Sequence, residues 1–408
     1  MNKKVMALAV AGAFAAPAAF AQSSNVQLYG RANLGFDHYE AKGAGNPVNA
    51  PQNVNNNRDG RFRVFDNSSR VGLRGTEDLG NGLKAIFQIE TGVNIDNGSN
   101  TAQGGQGNAS SGFWASRDSF VGLDSNFGRL TFGRQSIYWA NGVNAQFAAN
   151  YINTEIPWTN GTALGRINSG ALGSAAPARV SNVVQYTTPT FAGLNATLSY
   201  SPNFQEPVQN VSGNVDTDGN IWGATVRGTW GPWYAQVDYA DVSGNSSLVG
   251  APRLDGNAWK VGGSWGYMPG ARVGIIWVRS QANNAVGLTT GDKVNQDGWT
   301  LNWEHTFGNF QVMAQFGFTN DIKNCNGDPG TVSCDETGST GYMIGGRYFL
   351  SKRTWLYASY NTVRNDANQF ADYVGGGITS TALPAGGGAT YPYGADPEIW
   401  AIGIFHQF

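Results

Sequence analysis

The sequence predicts an all-β fold: a transmembrane antiparallel up-and-down β-barrel of sixteen strands, with an inward-folded third long loop. Three observations predict it. Apolar and polar residues alternate through short segments along most of the chain. The 408 residues combine 12% aromatics and 57 glycines with a polar mean hydropathy of -0.31. A long irregular loop interrupts an otherwise regular succession of strands and tight turns. A strand wall in a membrane needs only every second residue apolar, so it stays polar on average. No stretch beyond the amino terminus is long and apolar enough for a transmembrane helix.

Residues 1–21 read as an export signal: Lys3 and Lys4 form a basic head, an apolar run follows, and Ala19-Phe20-Ala21 is a small-residue cleavage site. The run is too short for a membrane anchor. The mature chain is expected to start at Gln22, with residues 22–408 forming a single barrel domain. Export alone leaves periplasm, outer membrane and medium open. Without Lys3 and Lys4, 24 basic residues face 28 acidic ones, so nothing points to a nucleic-acid partner. Cys325 and Cys334, in an oxidising compartment, are expected to form a local disulfide. Zinc is the weaker reading, because no histidine is near. Asp321, Asp328, Asp335 and Glu336 admit a calcium ion, a solvated acidic loop being the simpler reading.

The first strand covers 25–37. Leu28, Gly30, Ala32, Leu34 and Phe36 share one face; Gln27, Tyr29, Arg31, Asn33 and Asp37 share the other. A dry core would not accept Arg31 unpaired, so the polar face is expected to be wet. After a polar loop, 38–60, the strand 61–75 sets Val71 and Leu73 opposite Arg70 and Arg74. Residues 76–82 (TEDLGNG) read as a turn. Leu83, Ala85, Phe87 and Ile89 then alternate with Lys84, Ile86, Gln88 and Glu90. In the next strand, 113–124, Phe120 and Gly122 oppose Arg117, Ser119 and Val121.

Strand 127–135 opens into the long loop, 136–178, rich in Gly, Ala and Asn. Beyond it strands are expected near 179–188, 192–201, 220–230, 232–241, 256–266, 271–280, 296–306, 309–319, 340–350, 353–362 and 397–408. The even count places both chain ends on one side, as a closed meander requires. On the last strand Trp400, Ile402, Ile404, His406 and Phe408 share one parity and suit an interfacial aromatic girdle. Trp230, Trp233, Tyr348 and Trp355, near other strand ends, fit the same role.

Val26–Gly35 (VQLYGRANLG), Ser69–Glu90 (SRVGLRGTEDLGNGLKAIFQIE), Arg117–Leu123 (RDSFVGL), FGRLTFGRQ before the long loop and the terminal Phe408 resemble the Gram-negative general porin family, in its β-proteobacterial branch. The resemblance covers essentially the whole mature chain. It implies a trimer of sixteen-stranded barrels in the outer membrane, surrounded by lipid and lipopolysaccharide, with the third loop folded into the lumen. The function it implies is passive diffusion of small hydrophilic solutes, with no cofactor.

Carried over residue by residue, the family's basic ladder falls on Arg31, Arg70, Arg117 and Arg179, with Arg74 beneath. Strand parity turns Arg31, Arg70, Arg74 and Arg117 away from the apolar face. For Arg74, bracing by Glu90 and Lys84 and contact with solute are both open. Glu155 is the only carboxylate in the first part of the loop, 136–160, and the Pro-acid-Phe-Gly turn of enterobacterial relatives is absent. Arg31, Arg70, Arg74, Arg117, Arg179 and Glu155 are thus the expected constriction, and inorganic anions the expected preferred ions.

Nothing in the sequence argues for an enzyme: His38, His305 and His406 lie far apart, and no serine elbow, phosphate loop or metal-spaced cluster appears. The alternative function is a structural or adhesive barrel working through its external loops. A soluble all-β protein comes third, since it would need dry cores rather than charges on one strand face.

Overall fold

The computed structural model describes residues 25–43, 58–96, 114–137, 179–202, 219–244, 254–283, 293–324, 334–369 and 394–408. The expected signal segment, residues 138–178 of the long loop, Glu155, Asp328 and Cys325 lie outside these residues.

The described strands are β1 (Asn25–Lys42), β2 (Arg58–Asp66), β3 (Arg70–Gly80), β4 (Leu83–Gly92), β5 (Ser119–Ser125), β6 (Gly128–Ser136), β7 (Arg179–Thr187), β8 (Leu194–Ser201) and β9 (Asn220–Trp230). They continue as β10 (Trp233–Gly244), β11 (Leu254–Met268), β12 (Ala271–Asn283), β13 (Lys293–Phe307), β14 (Phe310–Thr319), β15 (Ser339–Phe349), β16 (Thr354–Asn365) and β17 (Asp396–Gln407). All pairings are antiparallel between chain neighbours, and β1 with β17 closes the wall from Arg31↔Gln407 to Lys42↔Asp396. In hydrocarbon an unpaired backbone group costs several kcal/mol, so closure is what makes such a sheet viable.

Seventeen segments fill sixteen wall positions, because β2 and β3 are one strand broken at Asn67–Ser69: β3 pairs with the first half of β1 and β2 with the second. The break, which alternation across 61–75 does not reveal, carries a positive φ of 61° at Ser68. Asp66 holds it by accepting the Ser69 N–H at 2.8 Å, while the Asn33 N–H donates to Ser69 Oγ at 2.9 Å. A second correction concerns residues 76–82. The strand runs on to Gly80, and the turn is only Asn81-Gly82, with φ of 53° and 78°. Positive φ at both residues is the geometry of the tight turn that matches strand twist.

The period of two sorts the wall cleanly. Leu28 and Val64 are each 61% exposed on the outer face, and Trp400, Ile402, Ile404 and Phe408 are exposed there too. Exposed apolar surface on this scale belongs against lipid. Aromatics cluster at two heights. Near the loop end lie the pairs Tyr239–Trp259 and Tyr200–Trp222, with centroids 4.6 and 4.1 Å apart; near the turn end lie Trp233–Trp265 at 5.3 Å and His305–Phe307 at 3.9 Å. Trp230, Trp233 and Tyr348 take the expected outer positions. Trp355 does not: it is 7% exposed on the lumenal parity of β16, stacked on Phe405 at 3.8 Å.

Lumenal rings lie flat where the neighbouring strand has glycine. Tyr357 covers Gly403 and Tyr29 covers Gly72, and a Cβ on Gly72 would come within 2.5 Å of the Tyr29 ring. Replacing Gly403 with valine is therefore expected to destabilise the barrel by about 1–3 kcal/mol through overpacking. The urea midpoint of the folded band on unheated gels checks this, with Ile402→Val, on the lipid face, expected to change it little.

Candidate functional site

The arginines converge through the hairpins that carry them. Arg31 and Arg70 are direct cross-strand partners on β1 and β3, and both point to the lumenal parity. The break at Ser68 turns a carbonyl toward Arg31, whose Nε donates to Ser68 O at 2.9 Å. On β4, Glu90 stands on the same parity as Lys84 and Gln88. It accepts Arg117 Nε at 2.5 Å and Tyr29 Oη at 3.1 Å, and lies 3.6 Å from Arg70 Nε.

Arg117 reaches Glu90 by a route strand alternation does not give. The parity it shares with Val121 is the outer one, since Val121 is 61% exposed. Residues 114–118, however, are bends rather than strand, with Ala115 at φ 63°. The Arg117 N–H donates to Glu90 O at 3.0 Å, bringing the side chain back to a buried position over the same residue.

Arg179 opens β7, and its Nε donates to Asp118 Oδ2 at 3.1 Å. Asp118 Oδ1 also accepts the N–H and the hydroxyl of Ser136, at 2.6 and 2.7 Å. Arg117 interacts electrostatically with both Arg70 and Arg179, which makes this one cluster. It holds Arg70, Arg117 and Arg179 against Glu90 and Asp118, with Arg31 beside Arg70 and bonded to the Ser68 carbonyl. The sequence reading missed both carboxylates as partners of the ladder, having set Glu90 beside Arg74. Parity on β4 and the adjacency of Asp118 to Arg117 were the available signals.

Arg74 stands apart. It is exposed, its Nε donates to Gln27 Oε1 at 2.9 Å, and its guanidinium lies 5.0 Å from the Tyr29 ring centre. Glu155 cannot be placed, because it lies outside the described residues. The entry to its loop can be. Ile137 is buried with Val183, Ile221, Ala240, Val242 and Ala258, an apolar patch on the lumenal side of β7 and β9–β11. A Cβ on Gly223 would lie 3.5 Å from Ile137 Cβ.

Away from the arginines, Cys334 is disulfide-bonded. Asp321 Oδ1 accepts the N–H groups of Thr337 and Gly338, both at 2.8 Å, so that carboxylate braces its own loop. No metal-holding group of His, Cys, Asp or Glu occurs among the described residues.

Comparison with known proteins decides what this barrel is. The family profile described as Gram-negative porin matches residues 7–368. The chain belongs to the Gram-negative porin family. It is 30% identical over 390 residues to an outer membrane porin protein of Bordetella pertussis, covering 90% of this chain and 95% of the relative. It is also 30% identical over 269 residues to outer membrane porin protein 32 of Delftia acidovorans, covering 65% and 66% of the two chains. These relatives are β-proteobacterial, the branch the sequence motifs resemble. Among solved structures, an anion-selective porin from Comamonas acidovorans shares the fold with a TM-score of 0.71 at 23% identity, covering 95% of this chain and 100% of that one. OmpT of Vibrio cholerae, in its trimer form, gives 0.60 at 13% identity over 94% and 99%. This porin is an outer-membrane channel protein.

Glu90 is the carboxylate that most reduces the field of the cluster, since it faces both Arg70 and Arg117. Substituting Glu90→Gln is expected to move permeability toward anions. Zero-current potentials in a salt gradient measure it, and a shift toward cations would contradict the pairing described here.

Proposed function

We propose that this porin passes small hydrophilic solutes by passive diffusion and prefers anions, with Arg31, Arg70, Arg117 and Arg179 forming the positive side of its constriction. The observation that carries this reading is the charge imbalance of the lumenal cluster, in which three guanidiniums share two carboxylates and a fourth, that of Arg31, is bonded to a backbone carbonyl. In a narrow section with low-dielectric walls, that excess lowers the barrier for anions and raises it for cations. The fold it shares with a porin described as anion-selective supports the same direction.

The buried position of Ile137 on the lumenal patch supports an inward course for residues 138–178, which would bring Glu155 into the passage. Residues 1–21 are the proposed export signal, and Cys325 is the proposed partner of Cys334. Zero-current potentials are expected to favour chloride over potassium, most strongly at low salt. Arg70→Glu or Arg117→Glu should shift the ratio toward cations. Arg353→Glu, at an exposed turn, should change it little. Cation selectivity in the unmodified porin would refute the reading.

A homotrimer is proposed on two grounds. One is the fold shared with a structure described as a trimer form. The other is the outer face of β3–β7, where Leu73, Ile89, Val121, Leu123 and Val184 are exposed aliphatics, suited to packing against a second barrel as well as against lipid. Light scattering of mild-detergent extracts should give about three times the mature chain mass. A monomer in several mild detergents would contradict it.

A further inference from the structure

Several lumenal arginines lie over rings. Arg74 sits 5.0 Å from the Tyr29 ring centre and Arg31 5.7 Å from that of Phe405. Arg347 lies 4.7 Å from Phe349 and 5.0 Å from Trp355. Their strands, β3, β1, β17, β16 and β15, are consecutive hydrogen-bonded neighbours in the wall. Asn33, Phe405, Trp355 and Phe349 form one cross-strand row, each the direct partner of the next. The row is continuous across four strands, and the Arg74–Tyr29 pair lies beside it, four residues from Asn33 along β1.

Charge alone does not require this arrangement. Phe405 and Trp355 stack at 3.8 Å with an interplanar angle of 9°, and Phe349 meets Trp355 edge-on at 6.0 Å. Arg31, Arg347 and Phe349 are only half-buried. Two donors in the row, Asn33 Nδ2 and Trp355 Nε1, have no hydrogen-bond partner among the described residues, although their side chains are 0% and 7% exposed. Buried donors without partners favour an acceptor. Guanidiniums favour a planar anion, and both guanidiniums and rings favour a π face. A carboxylate attached to an aromatic ring satisfies all three; a non-aromatic carboxylate satisfies only the first two.

We propose that this band is an affinity strip for aromatic carboxylates, so that anions of the benzoate type pass in preference to non-aromatic carboxylates of equal charge and similar size. The proposal rests on the anion-preferring reading and names its substrate class. Stacking on a guanidinium or ring supports a preference of about 2- to 30-fold.

The test uses the full mature porin in planar bilayers, with benzoate and cyclohexanecarboxylate each set against chloride in bi-ionic reversal potentials. The expected result is a benzoate-to-cyclohexanecarboxylate permeability ratio of about 3 or more. Phe349→Leu, and separately the charge-conserving Arg347→Lys, should bring that ratio close to 1. Leu356→Ala, on the lipid face of β16, should leave it as it is. Equal permeability of the two acids in the unmodified porin overturns the proposal, and so does a benzoate preference that survives both lumenal substitutions. The chloride-to-potassium ratio, read in the same membranes, reports separately on the anion preference itself.

Discussion

Every feature of this porin depends on one constraint, the satisfaction of backbone hydrogen bonds where no water reaches. In hydrocarbon only a closed sheet leaves no N–H or C=O unpaired, so β1 must meet β17. Closure then dictates the period of two, because each strand has one lipid side and one lumenal side for its whole length. Among the described residues, the lumenal side is consequently where charge is accommodated at the height of the apolar band. Arginine, glutamate and aspartate gather there not by chance of composition but because the outer parity excludes them over the apolar band.

The same constraint explains where the wall is allowed to break. Between Asp66 and Ser69 the strand loses its regular pairing, yet the Asn67 N–H donates to Asn33 O, the Ser69 N–H to the Asp66 carboxylate, and the Asn33 N–H opposite them to the Ser69 hydroxyl. The freed Ser68 carbonyl is used by Arg31. A local defect in the ladder thus becomes a fixture for a pore-lining charge. The bends at 114–118 act alike, giving up strand geometry and delivering Arg117 to Glu90.

These departures also mark the limit of what the sequence disclosed. Alternation through residues such as Trp400, Ile402 and Ile404 disclosed the barrel, its strand number and its lipid face, because a repeating pattern averages over many residues. Arg31 and Arg70 were legible for the same reason. Arg117 was placed in the cluster both by family resemblance and by a parity reading that assumed an unbroken strand; the parity it shares with Val121 is the outer one, and the bends at 114–118 turn it inward. Trp355 shows the converse error: its position near a strand end suits a girdle, but side choice depends on register, and its register turns it inward onto Phe405. Ion pairs such as Glu90 with Arg117 depend on which hairpins lie side by side at one height, and no local window holds that information.

The carboxylates within the cluster are better understood as what permits the arginines to gather than as opposition to them. Two guanidiniums about 7 Å apart repel by about 2–3 kcal/mol at an effective dielectric near 20. Three grouped together without counter-charge would resist assembly. Glu90 between Arg70 and Arg117, and Asp118 beside Arg179, offset that repulsion while leaving a positive remainder. The acidic excess of the chain does not cancel this remainder. Residues such as Asp335 and Glu336 are exposed near the loop end, where salt screens them over about 8–10 Å. On the anion-preferring reading proposed above, the sign of the field met by a passing ion is set locally, by a few side chains whose spacing the hairpins fix.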